Sequence, residues 1–327
     1  MAEILTYTGA KLANGYKGHG LDLAPYIPSE SLVKAVNVTL FLKRRPILVM
    51  GEPGVGKTRL AESIAFEMLG PLAMKDNFFI WNIKSTSKAK DGLYRYDALR
   101  RLTDSQILKT EKEREKLNSL NIGENGSYLQ YGVLGEAFTR SRTNARSVIL
   151  IDEIDKADID FSNDLLSELE NYEFTIPETG QIVRKSSEFE YPIIIITSNQ
   201  ERELPTAFLR RCIYHYIDFP DDKVLSEIIF KTFNTSHQHE LVGKALSIFR
   251  NIRESLSETE KKPSTSELLD WFSVLDHYFA LKRDSVKGYA VSKEQQDLIN
   301  CLNLLDTSRI PFVEVLLKTH ESLNRIS

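Results

Sequence analysis

The chain has 327 residues, which is long for a single hydrophobic core and favours two domains. It carries 42 Lys and Arg against 46 Asp and Glu, and the net charge of -4 excludes an overall basic field of the kind that attracts nucleic acid or anionic lipid, although the sum would hide a local basic ring. The two cysteines, Cys212 and Cys301, are far apart and form no CxxC pair, which argues against a disulfide scaffold or a zinc site and suits a reducing compartment.

The N-terminus and the apolar runs give no export or membrane signal. Residues 1–4 lack a basic segment followed by an apolar core, and the longest aliphatic run, at 193–196, is far too short to cross a bilayer. We therefore expect a cytoplasmic protein that does not bind a membrane.

The first informative motif is the sequence GEPGVGKT at residues 51–58. In the pattern G-x-x-x-x-G-K-T, glycines let backbone N–H groups wrap around phosphates, the lysine contacts the β- and γ-phosphates, and the threonine ligates Mg²⁺. An apolar run at 46–50 precedes the motif, and a helical pattern ended by Gly70-Pro71 follows it, so a chance glycine-rich turn is a poor alternative. The expected nucleotide-binding residues are Gly51, Glu52, Pro53, Gly54, Val55, Gly56, Lys57, Thr58 and Arg59.

Strand-like apolar runs alternate with helical patterns through the first two thirds of the chain, which predicts a parallel sheet with crossover helices. Two β-prone runs around a Pro/Gly turn at 174–183 predict a projecting hairpin. The charged run 109–116 is typical of a solvated helix face. The strand candidates are residues 46–50, 78–83, 148–151, 193–197 and 213–219.

Beyond residue 220 the pattern becomes helical, and no further strand is predicted. Apolar residues recur on one face between Leu241 and Ile252 and again between Leu298 and Leu305, and the sequence STSE at 264–267 is a capping box. We therefore expect an α/β core over 1–220, including an N-terminal leader and the hairpin, and an all-helical domain over 221–327.

Acidic and polar residues follow two of the strands. Asp152 ends an apolar run and is the expected Mg²⁺-associated carboxylate together with Thr58, and Glu153 beside it is the candidate general base. Asn199 follows the next strand, where it could hold the attacking water or the γ-phosphate, or simply form a turn. The acidic residues from Asp152 to Asp160 lack the central glycine and terminal glutamate of a calcium loop, so that interpretation is rejected.

Four segments, at 51–58, 148–153, 197–199 and 203–211, resemble AAA+ ATPases in their order and spacing. Three further features look like the MoxR family. They are the segment 26–37, the block 165–180 with its Phe-x-Ile-Pro-Glu-x-Gly, and the sequence RELP at 202–205. The resemblance covers roughly residues 24–220, and the helical remainder is similar to the family's lid only in type.

This resemblance implies an αβα P-loop NTPase core with a parallel five-stranded sheet, a helical lid, and a homo-oligomer, a hexameric ring that hydrolyses ATP with Mg²⁺ between subunits. Asn199 then matches sensor 1. An arginine of the Arg210-Arg211 pair matches the finger inserted into the neighbouring site, with Arg211 preferred and Arg210 as the alternative, although on sequence alone the pair could equally be surface residues. The family commonly has a sensor-2 arginine where this chain has Ser264-Thr265-Ser266, so no sensor-2 residue is assigned.

Three functional classes remain open. The resemblance favours ATP-driven remodelling or assembly of a protein client, with a von Willebrand factor A-type partner suspected and with residues 84–96 and the hairpin at the places of pore-facing insertions. A nucleic-acid motor or an NTPase subunit of a defence or restriction system is the alternative, although the charge does not indicate nucleic acid. A GTP switch or phosphotransferase is disfavoured because the chain has no Asn-Lys-x-Asp motif.

Overall fold

The computed structural model describes residues 5–107, 128–140, 146–184, 191–233, 239–257, 260–284 and 310–318. The predictions for the charged run 109–116 and for the apolar repeat between Leu298 and Leu305 lie outside these residues. None of the described helices is long and apolar enough to cross a membrane.

Strands and helices alternate up to residue 217, and the described residues beyond it form helices and no strand. The strands are β1 (Tyr16–Gly18), β2 (Leu21–Leu23), β3 (Ile47–Gly51), β4 (Phe78–Asn82), β5 (Tyr94–Tyr96), β6 (Leu129–Tyr131), β7 (Val148–Asp152), β8 (Glu173–Ile176), β9 (Gln181–Arg184), β10 (Ile193–Ser198) and β11 (Ile213–Ile217). The helices are α1 (Glu30–Leu42), α2 (Lys57–Asn77), α3 (Ala89–Leu93), α4 (Ala98–Ile107), α5 (Val133–Arg140), α6 (Ile159–Asp164), α7 (Leu166–Asn171), α8 (Thr206–Leu209), α9 (Asp222–Phe233), α10 (His239–Ser255) and α11 (Thr265–Asp284), with short 3₁₀ turns at Ile154–Lys156 and Val313–Val315.

Five strands form one parallel sheet in the order β11-β3-β10-β7-β4. Every residue of β3 and of β10 is buried, because helices cover both faces of a parallel sheet and its central strands become continuous apolar runs. The five strand candidates and the α/β fold class are therefore confirmed.

The predicted hairpin and helix break are also present. Strands β8 and β9 pair antiparallel from Glu173↔Arg184 to Ile176↔Gln181. Within α2, Gly70 has φ 75°, which interrupts the helix before a second helical stretch runs to Asn77. The left-handed backbone at Gly70 is open to glycine at little cost, and the following proline cannot continue the hydrogen bonding of the first stretch.

The chain divides into two compact units by packing. One contains Pro28–Gly51 and Lys57–Ile217 together with the first residues of the chain, and the other contains Leu12–Ile27, Glu52–Gly56 and the residues from Asp218 onward. The first core surrounds the sheet, and the second is formed by the C-terminal helices around residues such as Phe249, Trp271 and Phe272. The domain boundary at 220/221 stays a prediction.

The capping box predicted at the start of α11 is present. The backbone N–H of Ser264 donates to the carboxylate of Glu267 at 2.7 Å, and the N–H of Glu267 points back to the hydroxyl of Ser264 at 3.5 Å. The two residues therefore satisfy N–H groups that the first turn of a helix leaves without partners.

Candidate active site

The sheet topology brings three polar strand ends together. Strand β10 lies between β3 and β7, with Thr197 opposite Val49 on one side and Ile196 opposite Ile151 on the other. All three strands run parallel, so their carboxyl ends meet at one edge of the sheet, where ligands of open α/β sheets bind. We call this the carboxyl edge.

The backbone of the phosphate-binding motif turns between β3 and α2 as the sequence predicts. Gly54 and Gly56 have φ values of 77° and 93°, in the region that other residues enter only with strain. The side chain of Lys57 is buried, and its Nζ donates to the carbonyl of Gly51 at 2.7 Å. The lysine is therefore folded back over the loop, with the N-terminus of α2 directed at the space where phosphates bind.

A close neighbour also requires glycine at position 54. A Cβ atom on Gly54 would lie 2.4 Å from the Oγ of Ser264, and one on Gly56 would lie 3.3 Å from the ring of Tyr26. The first distance is impossible without movement, and the backbone strain adds to it. Gly54 is therefore fixed both by conformation and by packing.

Oxygen atoms suited to a hard cation converge next to the loop. The hydroxyl of Thr58 lies 3.3 and 3.4 Å from the two carboxylate oxygens of Asp152. The buried hydroxyl of Thr197 donates to Asp152 Oδ1 at 2.6 Å and accepts from the N–H of Glu153 at 2.8 Å. A hydroxyl and a carboxylate placed together fit Mg²⁺, which prefers oxygen ligands.

Glu153 is held by groups on both sides of its carboxylate. The amide Nδ2 of Asn199 donates to Oε1 at 3.0 Å, and the ammonium of Lys156 forms a hydrogen-bonded ion pair with Oε2. The hydrogen bond to Glu153 raises the pKa of Lys156 above its ordinary value. Glu153 itself has φ 58°, a strained conformation for a residue with a side chain, which aims the carboxylate off the end of the strand.

Asp155 holds the turn that carries Asn199. Its side chain is 1% exposed, and its Oδ2 accepts from the backbone N–H of Asn199 at 3.0 Å and of Glu201 at 2.8 Å. Because the backbone at Asn199 is fixed in this way, the side-chain amide is directed at Glu153. The structure thus brings the two residues together.

Sequence reasoning gave no role to Thr197 or Asp155. Thr197 ends the strand candidate 193–197, but only the register of β10 against β7 shows that its hydroxyl reaches Asp152 and the backbone of Glu153. Asp155 lies in the acidic stretch from Asp152 to Asp160, and no sequence signal marks it, because its burial is visible only in the structure.

The predicted arginine residues lie elsewhere. Arg210 and Arg211 precede β11, whose first residue, Ile213, is opposite Ile47 at the start of β3, so both arginines lie at the amino edge of the sheet. Arg211 donates to Glu170 at 3.0 Å and to the carbonyl of Ala207 at 3.1 Å.

The other predicted arginines, Arg210 and Arg59, also have contacts. The carbonyl of Arg210 accepts from the guanidinium of Arg45 at 2.9 Å, which braces the turn before β11. Arg59, on the first turn of α2, pairs with Glu62 at 2.9 Å.

The carboxyl edge has the groups that phosphoanhydride hydrolysis needs. Backbone N–H groups and a lysine can bind phosphates, a hydroxyl and a carboxylate can hold a metal ion, and a second carboxylate beside a side-chain amide can activate and orient water. The predicted arginines, Arg210 and Arg211, are not among these groups, because they lie at the amino edge.

Comparisons with known proteins identify the family of this chain. The model of the family "AAA domain (Cdc48 subfamily)" matches residues 43–247. The chaperone protein ClpB of Malacoplasma penetrans is 31% identical over 205 residues, covering 58% of this chain and 24% of ClpB. The ATP-binding subunit ClpE of Lactococcus lactis, from an ATP-dependent Clp protease, is 28% identical over 194 residues, covering 58% of this chain and 21% of ClpE.

A solved structure of RuvB from Thermotoga maritima is 16% identical with a TM-score of 0.45, covering 78% of this chain and 64% of RuvB. The chain spans about a quarter or less of the length of the curated relatives it matches. Because the family model covers more than half of the chain and includes the phosphate loop and both polar strand ends, this chain belongs to the AAA domain family (Cdc48 subfamily) and is an ATP-hydrolysing enzyme.

Proposed function

We propose that the chain is a MoxR-like, Mg²⁺-dependent AAA+ ATPase that works in a ring, hexameric by family resemblance, and uses ATP hydrolysis to remodel or assemble a partner protein. The observation that carries the proposal is the placement of the candidate groups on two opposite edges of one sheet. In this proposal, residues 1–220 are the ATPase core and residues 221–327 are the lid.

Each candidate residue has one task at the carboxyl edge. Lys57 and the N–H groups of the loop bind the phosphates, and Thr58 and Asp152 would hold Mg²⁺, which when bound neutralises charge on the β- and γ-phosphate oxygens. Glu153 accepts a proton from the attacking water. Asn199 keeps that carboxylate and the water in line, because its amide already contacts Glu153 at 3.0 Å.

Strand geometry supports a finger that acts on a neighbouring subunit. The pairing of β11 with β3 extends from Ile213↔Ile47 to Ile217↔Gly51, a distance of about 13 Å along the strands at 3.3 Å per residue. Arg211 precedes the start of this span, and the phosphate loop begins at its other end, at Gly51. An arginine side chain is too short to cover that distance, so Arg211 would complete the site of a second copy.

A protein client is supported by two observations. The curated relatives include a chaperone protein and the ATP-binding subunit of a protease, although this chain matches only part of each relative's length. The net charge of -4 offers no general attraction for nucleic acid. A von Willebrand factor A-type partner rests on the MoxR resemblance alone.

The ring is tested by the dependence of ATPase activity on protein concentration. A supplied arginine finger contributes about 10³–10⁵ in turnover, so specific activity should rise steeply as subunits assemble. Arg211→Ala should abolish this rise and leave ATP affinity unchanged. Arg202→Ala is a matched control, because Arg202 also pairs with a carboxylate and a carbonyl and is similarly exposed.

Two results would count against the ring. One is specific activity that stays constant with concentration in a protein that remains a monomer by sedimentation. The other is an activity that rises like that of the unmodified chain in both the Arg211→Ala and the Arg210→Ala variants. If Arg210→Ala abolishes the rise instead, Arg210 is the finger and the ring stands.

The client is tested with a Glu153→Gln variant, which should bind ATP, hydrolyse it slowly and retain its partner in a pull-down. Recovery of the same protein with Glu153→Gln and not with a Lys57→Ala variant supports a protein client. ATPase stimulation by DNA, weakening steeply as salt rises, would instead favour the nucleic-acid motor or the defence or restriction subunit.

A further inference from the structure

A nearly buried arginine lies beside the phosphate loop. Arg253 is in α10, and its side chain is 10% exposed. One nitrogen of the guanidinium donates to the carboxylate of Glu52 at 2.8 Å, another donates to the carbonyl of Pro263, and Cζ lies 3.6 Å from the centre of the Phe219 ring. All of these residues belong to the same compact unit.

The environment of Arg253 makes Glu52 its essential partner. A guanidinium removed from water is costly unless a carboxylate and further acceptors compensate it, and the aromatic ring adds a cation–π contact. Glu52 supplies the carboxylate that the guanidinium contacts, and it is the second residue of the GEPGVGKT loop. The position of the loop's first turn is therefore tied to a helix of the C-terminal unit.

The second hydrogen bond of Arg253, to the carbonyl of Pro263, also connects it to the phosphate loop. Pro263 precedes Ser264, and Ser264 packs against Gly54, so closely that a Cβ on this glycine would lie 2.4 Å from the serine Oγ. Arg253 thus contacts Glu52 directly and also holds the turn that lies against Gly54. Two positions of the phosphate loop depend on one side chain.

We propose that Arg253 is a positioning residue that sets the shape of the phosphate loop, and hence the affinity for the triphosphate, through Glu52 and the turn at Pro263-Ser264. This inference rests on the assignment of residues 51–58 to the triphosphate and does not depend on a ring or a client. It gives the helical unit a cation that influences nucleotide binding from α10, whereas the start of α11 carries Ser264, Thr265 and Ser266.

The test compares nucleotide binding and turnover in Glu52→Gln, Arg253→Lys and Arg253→Met variants. A fluorescent ATP analogue at subunit concentrations below assembly gives the dissociation constant, steady-state ATPase assays give KM and kcat, and urea unfolding without nucleotide gives stability. Arg250→Met is the matched control, since Arg250 lies one turn earlier in α10 and pairs with Asp222 and the carbonyl of Pro220, away from the loop.

A positioning role predicts a change in affinity that exceeds any change in stability. Glu52→Gln is expected to raise the dissociation constant about tenfold with a smaller loss of stability in urea, because glutamine removes the charge at a half-exposed position but keeps an oxygen that can accept from Arg253. Arg253→Met should raise the dissociation constant further. The dissociation constant of Arg253→Lys should lie between those of the unmodified chain and Arg253→Met, because lysine keeps the charge and loses the fork of N–H groups.

Clear outcomes would overturn the inference. They are a Glu52→Gln dissociation constant within twofold of the unmodified chain, or an Arg250→Met variant that weakens binding as much as Arg253→Met. If Arg253→Met fails to fold, Glu52→Gln and Arg253→Lys still decide the question. Failure of the ring proposal would appear as a concentration-independent ATPase and would leave these binding constants untouched.

Discussion

The hydroxyl of Thr197 is the group whose removal tests the geometry of the site most directly. Valine has nearly the volume of threonine, so Thr197→Val removes the hydroxyl and leaves no cavity. The change deletes a hydrogen bond of 2.6 Å to the Asp152 carboxylate and one of 2.8 Å from the N–H of Glu153, at a position with no exposed surface.

The expected cost follows from the two lost bonds. A hydrogen bond to a charged group contributes about 1.5–3 kcal/mol and one between neutral groups about 0.5–1.5 kcal/mol. Water can reach the partly exposed Asp152 and recover some of this, so the free energy of unfolding should fall by about 2–3 kcal/mol. Because Glu153 loses an anchor of its strained backbone, kcat should also fall, about 10- to 100-fold.

The assay combines urea unfolding with steady-state ATPase kinetics. Thr39→Val serves as the control, because Thr39 is equally buried but its hydroxyl only donates to the carbonyl of Ala35 within α1. The reasoning is refuted if Thr197→Val loses no more stability than Thr39→Val and keeps its kcat. A loss of stability with unchanged kcat would show that Thr197 supports the fold and leaves the position of Glu153 unaffected.

Three further changes have defined outcomes. Gly54→Ala should abolish nucleotide binding in calorimetric titration and lower the free energy of unfolding by about 2 kcal/mol or more, from the positive φ and the approach to Ser264; binding like that of the unmodified chain would contradict this. Arg45→Ala should reduce ATPase activity of the assembled protein about 3- to 10-fold at unchanged ATP affinity, since Arg210 loses its brace of 2.9 Å, and unchanged turnover would argue against that brace. Burial raises the pKa of the Cys212 thiol to about 12, so in a Cys301→Ser background iodoacetamide at pH 8 should label the protein only after unfolding; rapid labelling of the folded protein would contradict it.

Features that depend on neighbours in the sequence could be predicted. The run Ile193 to Ile196 gave a buried strand because continuous apolar residues suit a sheet covered on both faces, and Ser264 with Glu267 gave a helix start because the capping box is a local exchange of hydrogen bonds. The phosphate loop was predictable for the same reason, since glycine spacing and the lysine lie within eight residues.

Features that depend on register or on distant contacts could not be predicted. Thr197 acts on Asp152 because β10 and β7 pair with one particular offset, and a shift by one residue would turn its hydroxyl to the other face. Arg253 reaches Glu52 across 201 positions of sequence. No local pattern marks either contact. The finger, the sensor role of Asn199 and the domain boundary stay predictions.

The separation of the two sheet edges has a consequence for cells that hold more than one form of this protein. If Arg211 completes the pocket of the adjacent subunit, a substitution of Arg211 leaves the pocket of the substituted subunit intact and inactivates the pocket of an unsubstituted neighbour. In a mixed assembly each faulty copy would then cost one pocket in either case, but a lesion at Arg211 removes the pocket of a neighbouring copy, whereas a lesion at Lys57 removes the pocket of the copy that bears it.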